Sequence, residues 1–214
     1  MNRLILRPRL WLLAAALLSL ALVARAAVPH ADFTLDVRID PLTHELEVHA
    51  NIDLSERYAG QAVEFLLTDA VEIVASEPVA SRQPDGGSRG FTGINGSSIE
   101  LAENKNPARY RVQLAPGSTV LNLTYRGTIN FALGDLKEQY TRGFRRTAGI
   151  IGRQGVYLAG SSLWYPYFSD ELISFRLHSN VPEGWQLISQ GNGTSGNEQG
   201  MAHWDSDGAE YAPT

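Results

Sequence analysis

The feature that most constrains this chain is hydrophobic alternation at period two. Phe33, Leu35, Val37 and Ile39 alternate with Thr34, Asp36 and Arg38. A side chain that changes face at every residue marks an extended strand with one side in a core and the other in water. Pro41-Leu42-Thr43 turns the chain, and Leu46, Val48, Ala50 and Ile52 then alternate with Glu45, Glu47, His49 and Asn51. The two stretches read as a hairpin. Further strands are expected over 62–67, 71–76, 98–102, 108–114, 118–130, 172–180, 185–190 and 201–205. Turn pairs separate them at Asp85-Gly86-Gly87, Asn95-Gly96, Pro116-Gly117, Asn192-Gly193 and Asp207-Gly208. Only 133–141, through Leu133, Leu136 and Tyr140, carries a short helical pattern. The expected fold is all-β: an antiparallel β-sandwich or a large twisted sheet with Gly-rich turns and at most one short helix. The loop 82–97 and the segment 141–156 are the least regular parts, and neither has a linker's length or composition. Residues 27–214 therefore read as a single β-rich domain.

The N-terminus has a different job. Arg3, Arg7 and Arg9 precede an uncharged, mostly apolar run from Leu10 to Ala24, and Ala24-Arg25-Ala26 offers a small-x-small cleavage site. Residues 1–26 read as a signal peptide, and the protein as exported to the periplasm or secreted. A retained anchor is the alternative, but spanning hydrocarbon takes about 20 apolar residues and this run is shorter. No stable membrane insertion is expected after cleavage. Cleavage removes four of the 18 basic residues and none of the 23 acidic ones, which leaves 14 against 23, a formal −9. That balance makes nucleic acid a poor partner. The absence of cysteine excludes a disulfide scaffold, a thiolate metal site and a thiol nucleophile.

Several motifs tempt a catalytic reading and fail on geometry. His44-Glu45-Leu46-Glu47-Val48-His49 resembles a zinc peptidase signature only in composition. That signature needs H-E-x-x-H on a helix, where residues four apart share a face. Here the histidines are five apart on an expected strand, so His44 belongs near the turn and His49 on the wet face beside Glu47. His30, His178 and His203 are isolated in sequence and read as ordinary histidines. Gly191-Asn192-Gly193-Thr194-Ser195-Gly196 matches G-x-G-x-x-G, but another turn rather than a helix follows, so it reads as a hairpin tip. No G-x-S-x-G elbow occurs. Asp170-Glu171 reads as a solvated turn. Glycosylation acceptor triplets begin at Asn95, Asn122 and Asn192, a pattern common by chance.

Two clusters are candidate contact sites. Arg142, Arg145, Arg146 and Arg153 gather in an otherwise acidic protein, either as a loop contact for an anion or partner or as a solvated loop paired with its own acids. Trp164, Tyr165, Tyr167 and Phe168, with Pro166 among them, form the densest aromatic run. They read as an interdomain or binding surface, or as a strand end packed on the core.

From Tyr125 onward the features fall into a specific order. Tyr125-Arg126-Gly127 ends a strand and an irregular stretch leads to Gly155-Val156-Tyr157-Leu158. Trp164-Tyr165-Pro166 follows, then the alternating Ile173-Ser174-Phe175-Arg176-Leu177, then Val181-Pro182-Glu183-Gly184-Trp185 and Ser189-Gln190-Gly191. This series, over about 118–204, resembles the N-terminal domain of the membrane alanyl aminopeptidase family, the gluzincin zinc metallopeptidases, in its secreted bacterial branch. The resemblance implies a non-catalytic, strand-rich domain that packs against a separate helical zinc domain and shapes access to its cleft. It places the peptide substrate, the zinc and its ligands in that other domain, with no catalytic, metal or cofactor residue in this chain. Some members hold the substrate's amine with a residue just upstream of the proline corresponding to Pro166. Between Gln154 and Asp170 this chain has no acid, so no such residue carries over. A hairpin through 185–205 calls for a further strand, and the resemblance therefore reads the chain as a fragment or truncated form. The competing reading is a free-standing exported binding module for a glycan or protein.

Overall fold

The computed structural model describes residues 29–84, 107–131, 149–158, 160–169, 171–189, 193–198 and 201–206. The described strands are β1 (His30–Asp40), β2 (Glu45–Asp53), β3 (Ala62–Thr68), β4 (Val71–Glu77), β5 (Ala80–Arg82) and β6 (Pro107–Gln113), followed by β7 (Val120–Thr128), β8 (Ile150–Gly152), β9 (Gly155–Tyr157), β10 (Leu172–Asn180), β11 (Gly193–Glu198) and β12 (Met201–Ser206). Single 3₁₀ turns cover Glu56–Tyr58 and Gly160–Ser162. The fold is all-β. A seven-stranded sheet in the order β11-β12-β10-β1-β2-β7-β4 is covered by a three-stranded sheet, β3-β6-β5, with β8-β9 as a separate small hairpin.

Alternation builds the core. Phe33, Leu35 and Val37 of β1, Leu46, Val48, Ala50 and Ile52 of β2, and Leu121, Leu123 and Tyr125 of β7 all point inward and are buried. They meet Val63, Phe65 and Leu67 of β3 and Tyr110 and Val112 of β6 in one cluster. Each large apolar side chain so buried contributes about 1.5–3 kcal/mol. Phe65 lies stacked on Tyr110 at 5.5 Å, the offset arrangement that aromatic quadrupoles favour.

The β1–β2 hairpin forms as the sequence predicts, with Phe33 opposite Ile52 and Val37 opposite Val48. In its turn the Asp40 carboxylate accepts the backbone N–H groups of Leu42 (2.7 Å) and Thr43 (3.3 Å). Those bonds, the one from Leu42 first, hold the Asp40 carboxyl below its usual range.

Several expectations need correction. The sheet is not wholly antiparallel: β1 runs parallel to β10, from His30 beside Leu172 to Arg38 beside Asn180. Residues 185–189 form no strand, because past β10 the backbone continues irregularly with its first amide, Trp185 N–H, donating to Pro182 O. The final hairpin is β11–β12, with Gly193 opposite Ser206 and Glu198 opposite Met201. Residues 193–196 of the G-x-G-x-x-G segment therefore lie in β11 rather than at the hairpin tip. Short β5, β8 and β9 carry too few residues to show a period. The helix expected over 133–141 and the strand over 98–102 lie outside the described residues.

Candidate functional site

The aromatic run reaches its position through the backbone. After the Gly160–Ser162 turn, Leu163 takes a left-handed conformation (φ 55°). The Thr68 N–H donates to Leu163 O at 2.8 Å, and Leu66 and Tyr167 exchange two N–H···O bonds of 3.0 and 2.9 Å. The segment thus lies antiparallel along an edge of β3. This explains why consecutive residues Phe65, Leu66, Leu67 and Thr68 are all buried: one face meets the core, and Leu66 meets Leu163 and Tyr167 in a satellite cluster.

Trp164, Tyr165, Tyr167 and Phe168 are between 3% and 8% exposed. Tyr165 and Phe168 both stand edge-on to Phe33, at 6.3 and 6.1 Å, and Trp164 stands edge-on to Tyr165 at 5.1 Å. The four rings are filled into this chain's own core rather than presented as a platform. Burial pushes the Tyr165 and Tyr125 phenols well above their usual range, so both stay neutral. Of the basic cluster, Arg153 lies exposed in the β8–β9 turn, and Arg142, Arg145 and Arg146 lie outside the described residues.

Beside the run, inward residues of β1 and β10 line a pair of cavities. Two adjoining cavities of about 420 and 370 Å³ share the lining residues Val156, Leu158, Trp164, Leu177, Ile188 and Ser189. Together they make a groove of mixed polar and apolar lining between β9, the Trp164 segment and residues 185–189. Its rim carries Ile188, 73% exposed, and Tyr157, 56% exposed. Apart from the Tyr157 and Tyr165 phenols, no titratable side chain lines it. Such a groove can seat apolar side chains, but it offers no base, acid or nucleophile.

The histidine pair at 44–49 does not form a metal site. His44 adopts φ 62° in the turn, and its Nδ1 donates to the Ile151 carbonyl. His49 faces outward, within 3.0 Å of Thr124 Oγ1 and 3.3 Å of Glu47 Oε1. Among the described residues no three histidine or carboxylate side chains are placed to hold a metal ion. The zinc set that the resemblance assigns elsewhere does not fit these residues.

One residue was misread from sequence. Glu171 is fully buried rather than part of a solvated turn. Its Oε1 accepts from Ser55 Oγ at 2.6 Å and from Arg57 Nε and Nη2 at 3.1 and 3.0 Å, while Oε2 has no hydrogen-bond partner. The signal was present. Glu171 has the same parity as Ile173, Phe175, Leu177 and Ser179, the inward positions of β10.

No protein-family profile matches this chain, and no curated protein matches it. Solved structures similar to it include the M1 zinc metallopeptidase from Deinococcus radiodurans, at 17% identity and a TM-score of 0.40 over 87% of this chain and 39% of that one. Another is yeast LTA4 hydrolase in complex with bestatin, at 11% identity and a TM-score of 0.41 over 87% of this chain and 28% of that one. The chain spans about two fifths or less of the length of these proteins.

Proposed function

We propose that this chain is the non-catalytic N-terminal β-domain of an exported zinc metallopeptidase of the aminopeptidase type, and that it packs against that enzyme's catalytic domain and shapes substrate access. The observation that carries this reading is the groove beside Trp164 with Ile188 and Tyr157 exposed along it, within the stretch where the ordered series from Tyr125 to Gly191 lies. A docked domain would cover Ile188 and Tyr157, whose exposure otherwise puts large apolar area in water. The lack of a base or nucleophile in the groove suits a packing role. On this reading the zinc and the bound peptide belong to the catalytic domain, and no catalytic step runs through the residues described here. Export rests on the signal-like residues 1–26.

The test is direct. The gene beyond Thr214 is expected to encode H-E-x-x-H with a downstream glutamate, and its absence overturns the proposal. The purified chain is expected to leave an aminoacyl p-nitroanilide intact with or without zinc, and to bind the separately expressed catalytic domain. Zinc-dependent turnover by this chain alone, or a glycan ligand bound by a monomeric chain indifferent to that domain, would replace the reading with an enzyme or a binding module.

A further inference from the structure

His44 is a non-glycine residue in the left-handed region (φ 62°), where an L side chain is crowded. Such an outlier persists only where its surroundings over-determine it. Here three hydrogen bonds do so, and they close a circuit between three elements. The Ile129 N–H, just past β7, donates to His44 O at 2.9 Å, and the Ile151 N–H, in β8, donates to Ile129 O at 3.1 Å. The Ile151 carbonyl in turn accepts from His44 Nδ1. A directly hydrogen-bonded antiparallel pair exchanges both its N–H···O bonds. Ile129 and Ile151 exchange one, because the Ile129 N–H is turned to His44, and the imidazole gives the Ile151 carbonyl a donor in its place. Both isoleucines are fully buried, where a carbonyl without a donor is costly.

The circuit ends on the hairpin that walls the groove. β8 and β9 pair over three positions, Ile150 with Tyr157, Ile151 with Val156 and Gly152 with Gly155, in a sheet of their own. A two-stranded hairpin is marginal by itself, so its place depends on what ties it to the rest. Beside the circuit, the Phe131 N–H donates to Gly149 O at 3.2 Å. Val156 and Leu158 of this hairpin line both cavities, and Tyr157 lines one. Gly149 (φ 113°) shows how closely the base is packed: a Cβ there would stand 3.2 Å from both Ile129 Cγ2 and Leu158 Cδ2.

We propose that His44 is a positioning residue for the groove: its ring and its carbonyl fix where β8–β9 stands, and so set the wall that Val156, Tyr157 and Leu158 present. None of residues 41–44 lines either cavity, so His44 acts through Ile151 and not by touching what enters. The turn of the first hairpin is thereby coupled to a binding surface built 107 residues later. The inference rests on the reading above for the groove's occupant, the catalytic domain, and stands without it for the coupling of His44 to β8–β9.

The test is hydrogen exchange of the whole chain, followed by NMR. His44→Gly accepts the left-handed backbone and has no side-chain donor. His44→Asn accepts it too and carries Nδ2 on Cγ, where histidine carries Nδ1. The Ile151 amide should exchange about tenfold faster or more in His44→Gly, the effect of one lost hydrogen bond, and at the parental rate in His44→Asn. Amides of the β1–β2 ladder should keep parental rates in both. If the circular dichroism of His44→Gly departs from the parent's, His44→Asp takes its place, since its carboxylate tolerates the same backbone but only accepts. Parental exchange over 149–158 in the donor-less variant, equal acceleration in His44→Asn, or equal acceleration in the β1–β2 ladder overturns the proposal. In calorimetry against the separately expressed catalytic domain, His44→Gly should bind about tenfold more weakly than the parent and His44→Asn as the parent does. Equal affinity of all three overturns the coupling to the groove. A parent chain that does not bind overturns the reading of the groove, and the exchange result then decides on His44 alone.

Discussion

Taking Arg57 away from Glu171 leaves a fully buried carboxylate with only the Ser55 hydroxyl to hold it. Breaking a buried ion pair costs about 3–5 kcal/mol. Arg57 is 40% exposed, so water can enter and Arg57→Ala should sit at the low end, about 3 kcal/mol by urea denaturation. Glu171→Gln keeps an acceptor for Ser55 and should cost less, about 1–3 kcal/mol. Asp32 gives a pH signature. Partial burial works to raise its carboxyl, but hydrogen bonds from Ser174 and His30, aided by the charges of His30 and Arg176, outweigh this and hold it below 3.8. A depressed carboxyl stabilises the fold above its unfolded value and loses that contribution as pH falls through the folded one. The stability gap between the parent and Asp32→Asn should therefore be present at pH 6 and shrink progressively as pH falls below about 4. Gly127 shows how little space some positions allow: an added Cβ would lie 2.0 Å from Ala70 O and 2.7 Å from Val71 Cα. Gly127→Ala should cost about 2 kcal/mol or more, since backbone rather than a flexible side chain must yield. Composition foretold none of these roles. Parity put Glu171 inward, but Arg57 lies 114 residues away in sequence and no local pattern pairs them.

At the scale of elements, the join between β3 and Tyr167 is the connection most open to test. Tyr167→Pro deletes the N–H that donates to Leu66 O and leaves the Leu66 N–H bond intact. Leaving the buried Leu66 carbonyl without that donor costs about 1–3 kcal/mol, and hydrogen exchange should show lost protection in the Thr68 amide, which donates to Leu163 O. The long strands were legible because alternation over nine to eleven residues leaves little ambiguity: β1, β2, β7 and β10 lie where their patterns put them. β10 matched residue for residue. The parallel pairing of β1 with β10 was not legible, because alternation fixes which face a residue takes and says nothing about which strand lies alongside. Trp185–Ser189 misled for a related reason. Apolar residues there line a groove but belong to no described strand, so hydrophobicity imitated a strand. The aromatic run was readable as a dense apolar segment, but its burial against Phe33 and Phe65 needs contacts from β1 and β3 that sequence order does not supply.

For the molecule as a whole, the groove separates stability from association. Ile188 is mostly in water, so Ile188→Glu should shift the free chain's stability by no more than about 0.5 kcal/mol. The same change should abolish binding to a partner that covers the groove, read by gel filtration or calorimetry. A variant that unfolds the free chain would show Ile188 to be core instead. The central place of β1 has one more consequence. Its hydrogen-bonding edge toward β10 waits for a segment made 142 residues later, and closing so large a loop is slow because chain entropy is lost before contacts return it. While the ribosome is still adding the intervening sequence, the first hairpin must hold one flank unzipped. Nascent chains are thus most prone to clump during that interval, and a holdase working on this polypeptide would find its target at the amino-terminal strand.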